Sequence, residues 1–363
     1  FFNYNLENFN YIIDNKQVKI EGALEGRIEV KDVYHDMLLF ANVVAPQFSF
    51  NGHKLGKLTA VSQWIPLQKA IAMNIGIQQG NTYIMQATGT YVPQNGKIDY
   101  MLKLQDLRLS IFKEIFEPTI RNVSGYVEGA IQATGVLSNP IFNGNIEIKR
   151  GKFRVDETKI AYTTKGTIQS QGSKLVFYDL PIMDSLTNVG LARGFVDFKK
   201  MNNPNYQIIL ETDKIMALHT TEIDNSSFYG DAFFQGTVTI TGDLYNTSIS
   251  AVGKTLENTR LHIPLSYSEP NENKEFLQFQ KSNTTQIQTV KTANSNGTEL
   301  LLNIEVTPDA LTQIIFDKQV GDIIKVKGSG NIQMNMDKQG NFYMYGDYTI
   351  ESGDYLFTLK NLI

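Results

Sequence analysis

The 363-residue chain carries 33 basic and 37 acidic side chains, a formal net charge of −4, and is 42% hydrophobic and 11% aromatic. That is ample for a core, and the interspersed charges exclude the basic stripe that nucleic-acid binding requires. With no cysteine, disulfides, thiolate metal sites and a cysteine nucleophile are excluded, and no run of about 18 apolar residues is present to cross a membrane as a helix.

In chain order, EGALEGRIEV, LGKLTAV and GNTYIMQATGTYVPQNGKIDYMLKL alternate loosely between polar and apolar, as strands do when successive side chains point to opposite faces. Leu107, Ile111, Phe112, Ile115, Phe116 and Ile120 then fall at helical spacing with Pro118 near the end, which predicts an amphipathic helix over 107–121. Ile146 and Ile148 alternate with Glu147 and Lys149; a turn is expected at Arg150-Gly151, and Phe153 and Val155 then alternate with Arg154. Val238 and Ile240 alternate with Thr237, Thr239 and Thr241 ahead of a turn at Gly242-Asp243. From Ser266 to Thr298 the chain is rich in Asn, Gln, Ser, Thr and Lys, a mobile loop that need not form a core.

Leu300, Leu302, Ile304 and Val306 resume the alternation. Thr307-Pro308 predicts a short turn of helix carrying Leu311, Ile314 and Ile315. Near the end the pattern is almost without error. Ile332, Met334 and Met336 share one parity, and Asn331, Gln333, Asn335 and Asp337 the other. Across a turn at Lys338-Gln339-Gly340, Phe342, Met344, Tyr348 and Ile350 continue the apolar parity. Strands of five to eight residues would number on the order of 20 to 25, in an all-β sandwich, barrel or solenoid without a strict repeat.

Motifs for chemistry are sparse. His35, His53, His219 and His262 lack the spacing of a metal site. GSGNIQ, from Gly328, lacks the third glycine and the helix of a dinucleotide loop. Asp179 and Asp184 flank the PIM segment; they read as solvated turn residues in preference to the paired carboxylates of a glycosidase. Asp317, Asp322, Asp347 and Asp354 read as Asx turns, not calcium ligands. Five Asn-x-Ser/Thr triplets, Asn122 and Asn246 among them, follow from composition. The apolar parity has two readings. It packs against a second sheet about 10 Å away, or it lines an open groove that acyl chains complete, at roughly 0.8 kcal/mol per buried methylene. Periodicity alone does not choose.

SNPIFNGNIEIKRGKFRV, IAYTTKGTI and the DLPIMDS to GLARGFVDF segment resemble the C-terminal region of the TamB (translocation and assembly module) family. So do NSSFYGDAFFQGTVTITG and the stretch from VTPDALTQIIFDKQVGD to the end, YGDYTIESGDYLFTLKNLI being the most specific piece. The resemblance is strong from Ser138 to Ile363 and weaker before, and FYG with the polar insert is closest to Bacteroidetes-type versions. The chain reads as a piece of a larger protein, starting at Phe1 and stopping just after an apolar strand.

The resemblance implies an elongated antiparallel β-taco, a half-pipe of β-groove units with an apolar interior. It divides here into groove strands over 1–106, the helix over 107–121, groove strands with the TamB-like region over 122–265, the polar loop over 266–298 and terminal strands over 299–363. It further implies a non-enzymatic, cofactor-free bridge for phospholipid acyl chains across the periplasm. The inner-membrane anchor would lie in an absent N-terminal part, and an Omp85-type outer-membrane partner, TamA-like or a lipoprotein relative, at the other end. The expected groove lining is Ile146, Ile148, Phe153, Val155, Val238, Ile240, Ile332, Met334, Met336, Phe342, Met344 and Ile350. Tyr355, Phe357 and Leu359 form the expected docking edge, suited to strand addition. The helix would cap the trough. Two other readings remain open: a scaffold for outer-membrane protein assembly, and a glycan-binding solenoid hinted at by Tyr343 and Tyr345 sharing a face with Asp347.

Overall fold

A computed structural model describes residues 2–10, 19–31, 38–113, 120–200, 203–226, 228–264, 297–317 and 322–356. These form one sheet of 21 strands. In chain order the first nine are β1 (Phe2–Asn5), β2 (Ile20–Glu21), β3 (Ala23–Lys31), β4 (Leu38–Phe50), β5 (His53–Ile65), β6 (Ala70–Gln79), β7 (Thr82–Val92), β8 (Lys97–Arg108) and β9 (Ile120–Val136). Then come β10 (Asn139–Val155), β11 (Ile160–Gln171), β12 (Lys174–Met183), β13 (Val189–Asp197), β14 (Asn205–Thr220) and β15 (Tyr229–Gly242). The last are β16 (Asn246–Thr255), β17 (Arg260–Pro264), β18 (Gly297–Val306), β19 (Leu311–Asp317), β20 (Asp322–Met336) and β21 (Phe342–Leu356). Short 3-10 turns occupy Leu6–Phe9, Pro66–Gln68 and Leu109–Phe112.

Neighbours in sequence are neighbours in the sheet. Three layers each hold two collinear strands, β2 with β3, β16 with β17 and β18 with β19, so the 21 strands make 18 layers. At about 4.8 Å per layer the sheet runs roughly 80 Å, shorter than one layer per strand would give. Pairing is antiparallel except between β16 and β18 and between β17 and β19. Parallel neighbours need a crossover. Residues 265–296, most of the predicted polar loop, lie outside the described residues; Gly297 and Thr298 belong to β18.

The strands are longer than the expected five to eight residues. β9 and β10 have 17 each, a contour of roughly 56 Å. They fold because bulges interrupt the ladder between Ala45 and Phe48, Leu104 and Leu107, Ile148 and Gly151, Phe177 and Leu180, and Thr212 and Ile215. Each inserts one extra residue, bending its strand and shifting the side-chain parity by one. Asp106, Arg150 and Asp179 take up the left-handed backbone this needs, at φ 50°, 51° and 47°. A line of such bends across neighbouring strands folds the sheet lengthwise into a half-pipe.

One local expectation is corrected by these bends. Arg150-Gly151 is a bulge within β10, not a turn between strands. Of the predicted helix, Leu107 lies in β8, Leu109–Phe112 is a 3-10 turn and Ile120 opens β9; residues 114–119 lie outside the described ones. The expected helical turn at Thr307 is a tight turn closed by Ala310 N–H donating to the Thr307 carbonyl (3.0 Å), and Leu311, Ile314 and Ile315 belong to β19. The Gly242-Asp243 and Lys338 to Gly340 turns stand where expected.

Candidate functional site

The register joins the inward-facing side chains into ladders that cross the strands along the half-pipe. One runs Ala45, Leu58, Ile77, Met85, Leu104, Gly129, Ile146 and Ile168, each directly opposite the next. Ile168 packs against Phe177 and its neighbours. From there Phe177, Gly194, Ile208, Ile240, Ile249, Leu300, Met336 and Phe342 continue in register. These 16 positions hold no polar side chain. A parallel ladder lies nearer the bend: Leu180, Ala192, Leu210, Val238, Ala251, Leu302, Met334 and Met344. A third, glycine-rich one contains Gly236, Gly253, Ile304, Ile332 and Gly346.

The expected lining residues fall on this face. Val238, Met334 and Met344 share the second ladder; Ile240, Met336 and Phe342 share the first with Ile146; Ile332 belongs to the third. Ile148 stands between Val127 and Gly166, while Phe153 and Val155 lie beyond the bulge, against a cluster built on Ile160, Ile215 and Phe233. All are half-buried except Ile350, which is 51% exposed on the terminal strand. Of the expected docking edge, Tyr355 is exposed on β21, whereas Phe357 and Leu359 lie outside the described residues. The inner-face residues that alternation in the sequence did not single out, such as Leu210 and Ala251, are found only by following the register.

Burial varies along the face: Ala45, Ile77, Phe177, Leu180, Ala192 and Ala251 are buried, whereas Ile208, Ile249, Leu300 and Phe342 are half-buried. Among the described residues all strands belong to one sheet, and apolar side chains from either side of the bends meet on this face, Phe153 and Val155 with Leu210, Val238, Leu302 and Ile304 around Ile215 and Phe233. At the N-terminal end the face is partly capped. Leu6 and Ile111, from two 3-10 turns, are buried in one cluster with Phe48, Leu107 and Val127, and Asn51 ties this cap in place by donating to the Ile111 carbonyl (3.3 Å).

Midway, the β12–β13 hairpin stops short and its flanking strands close over the tip. The Tyr162 hydroxyl donates to the Met216 carbonyl (2.9 Å) and His219 N–H to the Thr158 carbonyl (2.9 Å). Burial pushes the Tyr162 phenol well above its ordinary range. Asp184 holds the junction. Its carboxylate, 4% exposed, accepts from the backbone N–H of Leu186, Asn188 and Met216 and from the Asn188 side-chain amide, at 2.7–2.9 Å. It is a structural carboxylate with its acceptor capacity taken up, and Asp179 sits in a β12 bulge, so the two do not form a catalytic pair.

The remaining chemical candidates are also placed. His219 meets Asp231 on the surface (2.6 Å), and His262 stacks on Tyr229. Among the described residues no group of three His, Cys, Asp or Glu side chains is arranged to hold a metal. Asp317, Asp322, Asp347 and Asp354 lie within strands, not in the expected Asx turns; among the described residues Asp184, Asp197, Asp243 and Asp337 make such turns.

A family model described as TamB C-terminal domain matches residues 180–363, just over half of the chain and all of the region where the ladders are most regular. No curated protein and no solved structure matches.

Proposed function

The chain belongs to the TamB family, and on that premise we propose that its concave face carries phospholipid acyl chains between the membranes of a bacterial envelope. The family's role in outer-membrane assembly and lipid transport sets the setting. The observation that carries the reading is the first ladder: 16 strand positions, apolar or glycine throughout, of which Ala45, Ile77 and Phe177 are buried and the rest are half-buried by the protein itself. Hydrocarbon completes such a face where water would not, at about 0.8 kcal/mol per methylene. Methionines at 334, 336 and 344 adapt to chains of irregular shape, and headgroups ride at the open rim. The periplasm is the expected compartment, with an N-terminal anchor and an Omp85-type partner at the two ends. Photo-crosslinkers at Met334 and at Ile148 test it. Lipid adducts at both positions in living cells are expected; adducts absent there but present at outward-facing Glu147 overturn it.

A second reading, strand addition during outer-membrane protein assembly, has its own support. β21 is a 15-residue strand whose only partner among the described residues is β20, leaving an edge that a nascent strand can extend. Polar substitutions on the ladders separate the two, since edge pairing survives them and lipid passage does not.

A further inference from the structure

The face turned away from the trough carries a cleft that the conduit does not use. Two rows of directly opposed side chains cross it between β15 and β21. Gln235, Lys254, Glu305 and Asn331 form one, and Val252, Asn303, Gln333 and Tyr345 the other. They wall a cleft of about 590 Å³, within the size range of small-ligand sites. Its floor is backbone. A Cβ at Gly253 would lie 2.1 Å from the Gln235 carbonyl oxygen, and one at Gly346 2.1 Å from that of Asn331. Only glycine permits these close approaches; both glycines stand on the inward parity, with Ile304 and Ile332 between them, so the floor between the outward side chains is main chain.

The chemistry of the walls is specific. Among the described residues Gln235, Lys254, Asn303, Glu305 and Asn331 make no side-chain hydrogen bond or ion pair within the protein, so their donors and acceptors all face the cleft's occupant or water. Lys254 and Glu305 offset one another, and Asp347, directly opposite Asn331 at the end of the first row, adds one negative charge, which disfavours an anionic headgroup. Tyr345, 57% exposed, offers a ring face, and Tyr343 two residues along extends it. Amides that donate and accept at once, beside an exposed ring, suit a ligand with hydroxyls on its edges and C–H groups on its faces.

A second polar cleft, of about 630 Å³, lies on the same face among Tyr83, Gln86, Lys103, Glu128, Asn145 and Glu147, about eight layers away, roughly 38 Å along the half-pipe. It differs in that Glu128 is ion-paired with Lys149.

We propose that the outer face binds an uncharged oligosaccharide bearing acetamido groups, laid across the strands through the Tyr345 cleft. This does not depend on lipid passage through the trough. The test is saturation-transfer NMR and calorimetry on the whole chain with tetra-N-acetylchitotetraose, with maltotetraose and phosphatidylglycerol vesicles as comparators. Saturation transfer to the N-acetyl methyls is expected, with about tenfold weaker binding for Tyr345→Ala and further weakening for Asn303→Ala, both folded by circular dichroism. The proposal is overturned if the folded chain does not bind chitotetraose at millimolar concentration. It is equally overturned if both variants bind like the parent, if maltotetraose binds as well as chitotetraose, or if vesicles are what the variants cease to bind.

Discussion

Ile148→Arg and Glu147→Arg differ by one position and, in this architecture, by which side of the wall they alter. Ile148 faces inward between Val127 and Gly166 and packs on the first cluster. An arginine there can bend its head toward the open rim, so folding should lose only about 1–3 kcal/mol. A passing acyl chain fares worse. It forfeits contact for about three methylenes, roughly 2.4 kcal/mol, and must displace water from a guanidinium, a cost of at least several kcal/mol. Together these raise the barrier by at least about 5 kcal/mol, which slows passage by more than about a thousandfold. Glu147 points outward, directly opposite Glu128, and replacing one of two opposed carboxylates by a cation relieves repulsion. The assay is outer-membrane lipid delivery in cells whose sole copy is the variant in the full-length protein, with abundance and folding verified. Ile148→Arg should fail and Glu147→Arg should work. A folded Ile148→Arg protein that delivers lipid at the parent rate refutes the reasoning, as does equal failure of both.

Other consequences concern the frame of the trough. Asp184→Ala leaves the Met216 N–H buried without its charged acceptor, so unfolding free energy in denaturant should drop by roughly 3–5 kcal/mol, and a loss below about 1 kcal/mol would contradict the junction's role. Gly236→Ala places a Cβ 2.3 Å from the Val252 carbonyl oxygen at φ 152° and should cost about 2–4 kcal/mol. Gly80→Ala, at φ 62° with open space around it, should cost only about 1 kcal/mol, and chemical denaturation of the pair checks the difference. The Asp337 carboxyl is held below its ordinary range, foremost by the Asn341 side-chain amide (2.7 Å) and also by backbone N–H groups of its turn. Because the folded value is the lower one, this turn's stabilisation is whole above the unfolded aspartate value near 3.9 and fades as pH falls through the folded value. Thermal melts between about pH 2 and 6 should show a shallower acid limb for Asp337→Asn.

The greasy and wet faces were legible because strand alternation is set by each strand alone. Met334 and Met336 against Gln333 and Asn335 could be assigned to opposite faces without knowing any partner. What lies over the greasy face was not legible. Val238 and Leu210 have the same periodicity whether a second sheet or a lipid covers them, and only the arrangement of neighbouring layers separates the two cases. Nor could Asp184 be recognised. Its burial arises because β12 and β13 stop early while β11 and β14 continue, a difference in strand length between neighbours that a local reading of YDLPIMD does not contain. Phe153 and Val155 were placed on the correct face but assigned to a separate strand, since the bend at Arg150 resembles a turn.

That error has a geometric origin. A bulge slips the parity by one, so the inward residues on either side of it stand three apart: Ala45 and Phe48, Leu104 and Leu107, Phe177 and Leu180, Thr212 and Ile215. A turn of helix brings residues three apart onto one face as well, so the two share this step in the sequence. The two patterns separate by what precedes them. Ahead of Leu107 the chain keeps a period of two, through Ile98, Tyr100, Leu102 and Leu104, all inward. An i, i+3 step that follows a period of two is a bent strand, and the polar pair inside the step (Gln105-Asp106, Tyr178-Asp179, Asp213-Lys214) occupies the outside of the bend. Without the slip, the second arm of each of these strands would turn its apolar side chains to solvent. The half-pipe thus has an apolar interior on both arms because its strands miscount by one at the same line.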